Sequence, residues 1–224
     1  MSDIIVFGAA GRVGRAAAKE ARRRGHRVTA VVLDAAEYSA AAAEYGELAA
    51  GGGVLLAIGD VTDADAVARL AAGHDAAINT AADLSTPADV FFPAAARGLL
   101  DGLTRAGVKR LVTVGLASVL ETASGVPLMD TPGYPQEYRA FFMGHGAGTD
   151  VLRAATTSLD WLALGPAGDF DYEGGRTGQY RTAPADADSR ISHADFAVAM
   201  LDEIDTPKHH RTHLGIEAIP TNQD

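Results

Sequence analysis

Residues 4–14 read IIVFGAAGRVG, and this stretch decides the fold. Its apolar run, residues 4–7, is bounded by Asp3 and Gly8 and is typical of a strand buried on both faces. Residues 12–24 are rich in Ala, Lys, Glu and Arg, which favour a helix. A glycine turn between such a strand and a helix lets a phosphate approach closely, and the N–H groups of the helix N-terminus face the anion. The stretch therefore predicts a strand–turn–helix unit that binds the pyrophosphate of a dinucleotide cofactor.

The three glycines of this turn are expected to have different tasks. Gly8 makes the tight turn, Gly11 lets the backbone approach the pyrophosphate, and Gly14 lets the helix pack closely on the strand. Their spacing is G-x-x-G-x-x-G rather than the G-x-G-x-x-G of most dinucleotide dehydrogenases, and a bare structural turn is the alternative. The cofactor contacts expected from the turn are Gly8, Ala10, Gly11, Arg12 and Val13.

Strand-like and helix-like segments alternate outward from the turn. Apolar, β-branched runs occupy residues 28–33, 54–58, 75–80, 110–114 and 159–164. Helix-like segments occupy residues 35–50, 63–72, 90–106, 150–156 and 193–204. Alternation at this spacing is typical of βαβ units with a parallel sheet. We therefore predict a single α/β domain over residues 1–224, with a Rossmann-like, doubly wound parallel sheet and helices on both faces.

Two irregular segments interrupt the alternation. Residues 118–148 are rich in Gly, Pro, Met and aromatic residues and follow the fifth predicted strand, and residues 165–190 follow the sixth. A long irregular insertion at the carboxyl end of a strand is usually a binding loop or a lid. We expect these two segments to form the substrate-binding part of the domain, with residues 131–145 as a lid.

Composition restricts the partners and the compartment. The chain has 224 residues, no cysteine, and 29 acidic against 19 basic residues, which gives a formal net charge of −10. The lack of cysteine excludes thiolate catalysis, disulfides and iron–sulfur sites, and the negative charge disfavours nucleic acids and anionic membranes. No apolar run has the length of a signal sequence or of a membrane span. We expect a cytoplasmic monomer or homodimer that acts on a small-molecule substrate.

Three histidines near the C-terminus have a spacing that is also found in metal sites. His209, His210 and His213 lie close together in sequence, but only Glu217 is near enough along the chain to complete a ligand set. We therefore expect no metal site here and a solvated end of the chain.

Polar and small residues after several predicted strands extend the expected cofactor site. Asp34 lies about 20 residues beyond Gly14, where an acid would bind the ribose hydroxyls of adenosine. Its alternative role is to cap the helix that follows. Asp60 borders the adenine together with Val61, or else Asp60 or Thr62 caps the next helix. The remaining contacts are expected at Asn79, Thr80, Ala81, Gly115 and Pro166.

Six motifs carry a family resemblance over nearly the whole chain. They are GAAGRVG (8–14), GDVT (59–62), VTVG (112–115), LDW running to GP (159–166), RTGQY (176–180) and RISHADFA (190–197). The chain resembles the short-chain dehydrogenase/reductase superfamily in its atypical, NAD(P)-binding branch of flavin-reductase-like and NmrA-like proteins. The first motif is common to the superfamily, and the last two narrow the resemblance to the atypical branch.

The chain departs from this family at the positions that deliver a proton. Many members use Tyr-x-x-x-Lys, in which the lysine lowers the tyrosine pKa, but no tyrosine here is followed by that lysine. The serine expected after the fifth strand falls on Gly115 or Leu116. The resemblance implies a lysine or a histidine at the start of the next helix, and an imidazolium there would act as an acid. The catalytic candidates are His145, Tyr138 and Tyr134, with a loop histidine and pocket-wall tyrosines as the alternatives.

The choice between the two nicotinamide cofactors stays open in the sequence. Leu33 stands where many relatives carry an arginine for the 2′-phosphate of NADP, and Arg12 could supply that contact instead. The resemblance favours NADP, whereas Asp34 favours NAD because a carboxylate repels the phosphate.

These observations together favour an enzyme. We expect an NAD(P)H-dependent reductase of a small apolar, aromatic or quinone-like molecule. Two alternatives remain: a redox-silent NAD(P) sensor that changes its partner binding with cofactor state, and a dehydratase or isomerase on the same fold.

Overall fold

The computed structural model describes residues 1–46 and 52–219 of the chain. The strands are β1 (Asp3–Phe7), β2 (Arg27–Val32), β3 (Val54–Ile58), β4 (Ala76–Asn79), β5 (Arg110–Val114), β6 (Asp160–Pro166), β7 (Asp169–Asp171), β8 (Tyr180–Ala183), β9 (Arg190–Ser192) and β10 (Thr212–Ala218). The helices are α1 (Arg12–Arg23), α2 (Ala35–Glu44), α3 (Ala64–Ala71), α4 (Ala88–Ala106), α5 (Arg139–Ala154) and α6 (His193–Asp205). No helix within the described residues is both long and apolar enough to cross a membrane.

Eight strands form one twisted sheet in the order β3-β2-β1-β4-β5-β6-β10-β8. Neighbours pair in parallel, except that β8 runs antiparallel to β10 at the edge. A separate parallel pair joins β7 to β9. The chain builds outward from β1 to β3 and then returns to place β4 on the other side of β1. The predicted doubly wound parallel sheet is confirmed, and the reversal between β1 and β4 marks the edge where such folds bind ligands.

Helices cover both faces of the sheet, which gives the domain two apolar cores. Ile4 and Val6 pack in one core with α1 and α6, whereas Ile5 and Phe7 pack in the other with α3, α4 and α5. Successive side chains of a strand point to opposite faces, so a strand covered on both sides must be apolar at every position. This requirement explains the continuous apolar run that precedes the glycine turn.

Helix α5 begins at Arg139, whereas the sequence predicts a helix only from residue 150. The prediction was wrong because Gly144, Gly146 and Gly148 suggest an irregular loop. Two of these glycines instead let α5 approach α4. A Cβ atom at Gly144 would overlap the backbone of Asp89, and one at Gly148 would lie 2.9 Å from Cβ of Phe92. The predicted lid over residues 131–145 is therefore irregular only in its first part. Residues 139–145 belong to α5, which packs on α4.

The C-terminal segment is a sheet strand rather than a solvated end. Strand β10 pairs with β6, and His213 lies opposite Ala163 in that register. The strand escapes prediction because polar residues separate its apolar ones. The predicted helix over residues 35–50 ends at Glu44 as far as the structure describes it, and residues 47–50 lie outside the described part.

The chain between β5 and α5 is compact. It contains two short 3₁₀ turns, Ala117–Val119 and Leu128–Asp130. Its apolar side chains Ala117, Leu120 and Leu128 form a third, smaller cluster with Ala185, and Tyr134 packs against this cluster. The predicted substrate segments 118–148 and 165–190 are thus in contact through Ala185.

Candidate functional site

The glycine turn lies at the carboxyl edge of the sheet and presents the N-terminus of α1 to a crevice. Gly8 has a φ of +75°, and a Cβ atom there would lie 2.5 Å from the backbone nitrogen of Ala81. A Cβ atom at Gly14 would overlap the carbonyl oxygen of Gly8. Gly11 is the N-cap of α1 and offers no side-chain cap, so the N–H groups of the first turn are available to an anion. The turn thus has the geometry of a pyrophosphate site.

One end of the crevice is a cavity of about 280 Å³ beside the turn. It is lined by Gly8, Ala10, Gly11, Leu33, Glu37, Gly59, Asp60, Val61, Thr80, Ala81, Ala82, Asp83 and Phe91. Seven of the predicted cofactor residues are therefore brought together here. In a fold of this type the position beside β2 is where the adenosine half of a dinucleotide lies, so we refer to this cavity as the adenosine side.

Asp34 caps α2 instead of lining the adenosine side. Its Oδ1 accepts hydrogen bonds from the N–H groups of Ala36, at 2.8 Å, and Glu37, at 2.9 Å. The acid that lines the cavity is Glu37, one helical turn further on, and its Oε2 accepts a hydrogen bond from Leu33 N–H at 2.9 Å. The alternative role of Asp34 as a helix cap is thus the one that the structure contains, and its ribose contact stays a prediction. Sequence reasoning missed Glu37 because the Asp34 spacing alone matched the fingerprint.

Asp60 lines the cavity as predicted but does not cap the next helix. Its Oδ1 accepts hydrogen bonds from N–H and Oγ1 of Thr62, both at 2.8 Å. The N-cap of α3 is Asp63, whose side chain accepts from the N–H groups of Asp65 and Ala66. Asp60 therefore shapes the turn that carries Val61 into the crevice.

Two residues of the glycine turn do not face the adenosine side. The guanidinium of Arg12 lies over the ring of Tyr172, 4.7 Å from its centroid. It belongs to a basic groove on α1 that includes Arg15 and Arg176. Val13 packs against the core of the domain. In this arrangement Arg12 does not line the adenosine side, and its contact to an adenosine 2′-phosphate stays a prediction.

The other end of the crevice is an apolar cavity of about 220 Å³. Thr80, Ala81 and Ala82 border both cavities and make them one continuous crevice. Helix α4 contributes Phe92, Ala95, Ala96 and Leu99, and helix α5 contributes Phe141, His145, Gly148, Thr149 and Leu152. The sheet edge contributes Asn79, Leu111, Thr113, Val114, Gly115, Leu116, Pro166, Gly168, Asp169 and Phe170. The predicted residues Asn79, Gly115 and Pro166 therefore border this apolar end.

His145 lines the apolar cavity from within α5. Its ring packs on Phe92 with 4.1 Å between the ring centroids. Its Nδ1 is buried and has no hydrogen-bond partner among the described residues. Burial lowers the pKa of His145 to about 4, so the imidazole is neutral at neutral pH. His145 thus lines the cavity as a neutral imidazole, and its low pKa argues against the imidazolium acid predicted there.

A second histidine, His213, lies on the far side of Gly115. A Cβ atom at Gly115 would overlap Nε2 of His213, so a serine at this position would require the histidine ring to move. Burial, with the nearby charges of His145 and Arg153, lowers the pKa of His213 to about 3. The other two histidines near the C-terminus contact carboxylates instead. His209 Nδ1 lies 2.7 Å from Glu203, and His210 Nδ1 lies 2.7 Å from Asp160. The three histidines therefore do not converge on one site.

Neither candidate tyrosine lines the crevice. The hydroxyl of Tyr134 lies 2.9 Å from the hydroxyl of the buried Ser118, and its ring packs on the third apolar cluster. Tyr138 is 59% exposed at the N-terminus of α5. No lysine follows Tyr134 at the spacing that the family uses. The proton-donor role of both tyrosines stays a prediction, and neither side chain lines the crevice.

The chain is similar to known proteins over nearly its whole length. The sequence profile described as NAD(P)H-binding matches residues 8–207. The uncharacterized protein YwnB of Bacillus subtilis (strain 168) is 34% identical over 214 residues, which are 92% of this chain and 93% of YwnB.

Solved structures share the same architecture. A protein from Bacteroides thetaiotaomicron, described as a proposed epimerase, is 29% identical with a TM-score of 0.78, and the match covers 99% of each chain. SP1627 from Streptococcus pneumoniae TIGR4, described as a proposed NADH-flavin reductase, is 25% identical with a TM-score of 0.78, covering 98% of this chain and 100% of SP1627. The two descriptions name different reactions, so the reaction has to be argued from the site.

Proposed function

The chain belongs to the NAD(P)H-binding family, and on that premise we propose that it is an NADH-dependent reductase of a small, planar, quinone-like acceptor. The N–H groups of the glycine turn would hold the pyrophosphate of a bound dinucleotide, and the residues at the mouth of the apolar cavity would hold its nicotinamide. When bound, the nicotinamide supplies the hydride. The protein binds and orients the two reactants.

The observation that carries this proposal is the character of the apolar cavity. Three phenylalanine rings, those of Phe92, Phe141 and Phe170, line it. Its titratable lining residues are His145, which is neutral, and Asp169, whose Oδ1 accepts a hydrogen bond from Phe170 N–H at 2.7 Å. A lining of this kind favours a flat aromatic acceptor over a charged or sugar-like one.

No tyrosine is among the described residues that line the cavity, and this favours one class of acceptor. Hydride transfer to a ketone forms an alkoxide, which is strongly basic and requires a proton from the protein. Hydride transfer to a quinone forms a delocalised phenolate-type anion, to which water delivers the proton. Neither Tyr134 nor Tyr138 lines the cavity, and His145 is neutral. The site therefore suits an acceptor that needs no general acid.

The adenosine side supports NADH over NADPH. Its described lining contains the carboxylates of Glu37, Asp60 and Asp83 and no lysine or arginine. Hydrogen bonds from Ser85 and Thr86 lower the pKa of Asp83 to about 2, which keeps it ionised. A 2′-phosphate placed near these charges would be repelled. On this distribution of charge we propose NADH as the cofactor, whereas the family resemblance favours NADP.

The experiment is an oxidation assay with NADH and NADPH against a panel of benzoquinones, naphthoquinones, flavins and ketones. We expect turnover with quinones, faster at low NADH than at equally low NADPH, and no turnover with ketones. A Gly11→Asp variant places a carboxylate at the pyrophosphate position and serves as the control, with its fold checked by circular dichroism. If no acceptor is reduced while NADH still binds, the sensor or dehydratase alternative replaces this proposal.

A further inference from the structure

Among the described residues, the basic groove on α1 shares no lining residue with either cavity of the crevice. Its lining contains one carboxylate, that of Glu20, and five cationic side chains, those of Arg12, Arg15, Lys19, Arg23 and Arg176. The four cations of α1 recur every three or four residues, so they form one stripe of about 16 Å along the helix. In a chain with a formal net charge of −10, this stripe is a local concentration of positive charge.

A buried carboxylate holds the wall of the groove that lies opposite α1. Asp195, in the first turn of α6, is 2% exposed, and its Oδ1 accepts hydrogen bonds from the N–H groups of Thr177 and Gly178 at 2.9 and 2.7 Å. Its Oδ2 accepts a third hydrogen bond, from Thr177 Oγ1 at 2.7 Å. The RTGQY and RISHADFA motifs, which the proposed reaction does not use, therefore meet here. Their contact fixes the loop that carries Arg176 into the groove.

The carboxylate of Glu20 lies at the base of the groove and is shared by several cations. Glu20 is 4% exposed, and it accepts hydrogen bonds of 2.7–3.2 Å from the guanidinium groups of Arg23, Arg24 and Arg176. Burial opposes the ionisation of Glu20, but these hydrogen bonds lower its pKa well below the ordinary value. One carboxylate therefore faces three guanidinium groups, and the lining as a whole keeps an excess of positive charge.

The end of the groove nearest the glycine turn contains an arginine with an aromatic partner. Within the described residues no carboxylate forms an ion pair with Arg12, whose guanidinium lies 4.7 Å from the centroid of the Tyr172 ring. The ring of His193, which also lines the groove, lies 5.2 Å from that of Tyr172. Burial and the charge of Arg12 lower the pKa of His193. The charges of Asp169 and Asp171 act in the opposite direction and do not cancel this shift, so the groove is electropositive at this end.

We infer that the basic groove binds a small molecule that carries two or more oxyanion groups, phosphate or carboxylate, spaced along α1. Guanidinium groups bind such groups through paired, charge-assisted hydrogen bonds, and a stripe of cations favours several anionic groups over a single one. A groove walled by α1 on one side and by Gly174, Arg176 and α6 on the other suits a narrow ligand, and the net charge of −10 disfavours a nucleic acid. The inference does not rest on the proposed reductase function and stands or falls independently of quinone reduction.

Binding is tested by calorimetric titration of tripolyphosphate, citrate and inorganic phosphate. Tripolyphosphate or citrate should bind with a dissociation constant below about 1 mM, and inorganic phosphate about tenfold more weakly, because it carries one oxyanion group. The stronger of the two probes shows whether the groove prefers phosphate or carboxylate groups. Arg12→Gln should weaken that probe by about tenfold, the effect of one charge-assisted hydrogen bond. Arg69→Gln, at an exposed position in the last turn of α3 outside the groove, is the control and should bind as wild type does. The inference is overturned if neither probe binds, or if Arg12→Gln leaves the affinity unchanged.

Titration in the presence of a dinucleotide separates the groove from the glycine turn, which is a second place for a phosphate group. Saturating NADH should leave the affinity of the probe unchanged, because the groove shares no lining residue with the crevice. If NADH displaces the probe, the probe occupies the glycine turn and the inference is wrong. If NADPH displaces it and NADH does not, the groove holds the 2′-phosphate of NADPH, and the inference of a separate site is wrong.

His193 supplies a local measurement that needs no variant. A bound anion beside Arg12 offsets the charge of that guanidinium, so the pKa of His193 should rise when the probe binds. The ring protons of the histidines are followed by NMR through a pH titration with and without tripolyphosphate. The resonances of His210, which contacts Asp160 outside the groove, should be the same in both titrations. An unchanged pKa of His193 at saturating tripolyphosphate would contradict the inference.

Discussion

The imidazole ring of His145 packs on the phenyl ring of Phe92, with 4.1 Å between their centroids, and thereby joins α5 to α4 at the wall of the apolar cavity. The contact buries the histidine, and burial removes its charge at neutral pH. The ring thus forms part of the cavity wall and is neutral at neutral pH.

The protonation of the two buried histidines should make the domain acid-sensitive. Burial lowers the pKa of His145 to about 4 and that of His213 to about 3, from an ordinary value of 6.5. Between these values and 6.5 the unfolded chain binds more protons than the folded chain, so the stabilisation is fully present above pH 6.5 and is lost as the pH falls. The urea midpoint should drop between about pH 7 and about pH 5, and the drop should be smaller in His145→Phe. An equal drop in both proteins contradicts the assignment.

Asp34 should matter for stability and not for cofactor binding. Its carboxylate caps α2, so Asp34→Ala should lower the free energy of unfolding by about 1 kcal/mol, whereas Asp34→Asn should retain most of it. The affinity for NADH, measured by fluorescence titration, should be unchanged in both variants. A tenfold loss of NADH affinity in Asp34→Ala would show instead that Asp34 binds the ribose.

An arginine at the end of β2 should change the cofactor preference. Leu33 borders the adenosine side and is half exposed, so Leu33→Arg can place a guanidinium near a 2′-phosphate. The ratio of the NADH to the NADPH dissociation constant should rise by about tenfold, the effect of one charge-assisted hydrogen bond. Leu55→Arg, at an exposed position on β3 that does not line the cavity, is the control. An unchanged ratio in Leu33→Arg would place the adenosine elsewhere.

Two glycines of the same turn should respond differently to alanine. A Cβ atom at Gly14 would overlap the Gly8 carbonyl, so Gly14→Ala should destabilise the fold by about 1–3 kcal/mol. At Gly11 the added atom would lie 3.4 Å from the same oxygen, an ordinary contact, so Gly11→Ala should fold normally and bind NADH more weakly. Thermal unfolding of both variants checks the predicted stabilities, and NADH titration of both variants checks the predicted affinities. Wild-type NADH affinity in Gly11→Ala would contradict the predicted approach of the pyrophosphate to Gly11.

The fold was predictable from the sequence where one physical requirement dominates. Strand β1 is covered on both faces, so it requires apolar residues throughout. The turn after it lies against Ala81, so it requires glycine at Gly8. The start of α5 was not predictable in this way. Gly144 and Gly148 are required by the approach of α4, and a single sequence does not distinguish a glycine needed for packing from a glycine that ends a helix.

The site was predictable only where the backbone forms it. The residues after the parallel strands converge at one edge of the sheet, as expected. The side chains were harder: Asp34 matched the fingerprint but caps a helix, while Glu37 lines the cavity with no distinguishing spacing. His213 joins Gly115 only through the pairing of β10 with β6, a contact between distant parts of the chain that no local pattern reveals.

The most direct test of the account is rapid mixing of the NADH complex with para-benzoquinone, followed by the loss of nicotinamide absorbance. The chain has no cysteine, so the quinone has no thiol to alkylate. The rate should saturate with quinone, should slow when deuterium replaces the transferred hydrogen of NADH, and should fall to the background level in Gly11→Asp. A rate that rises linearly with quinone and equals that of free NADH in the same buffer would contradict the account.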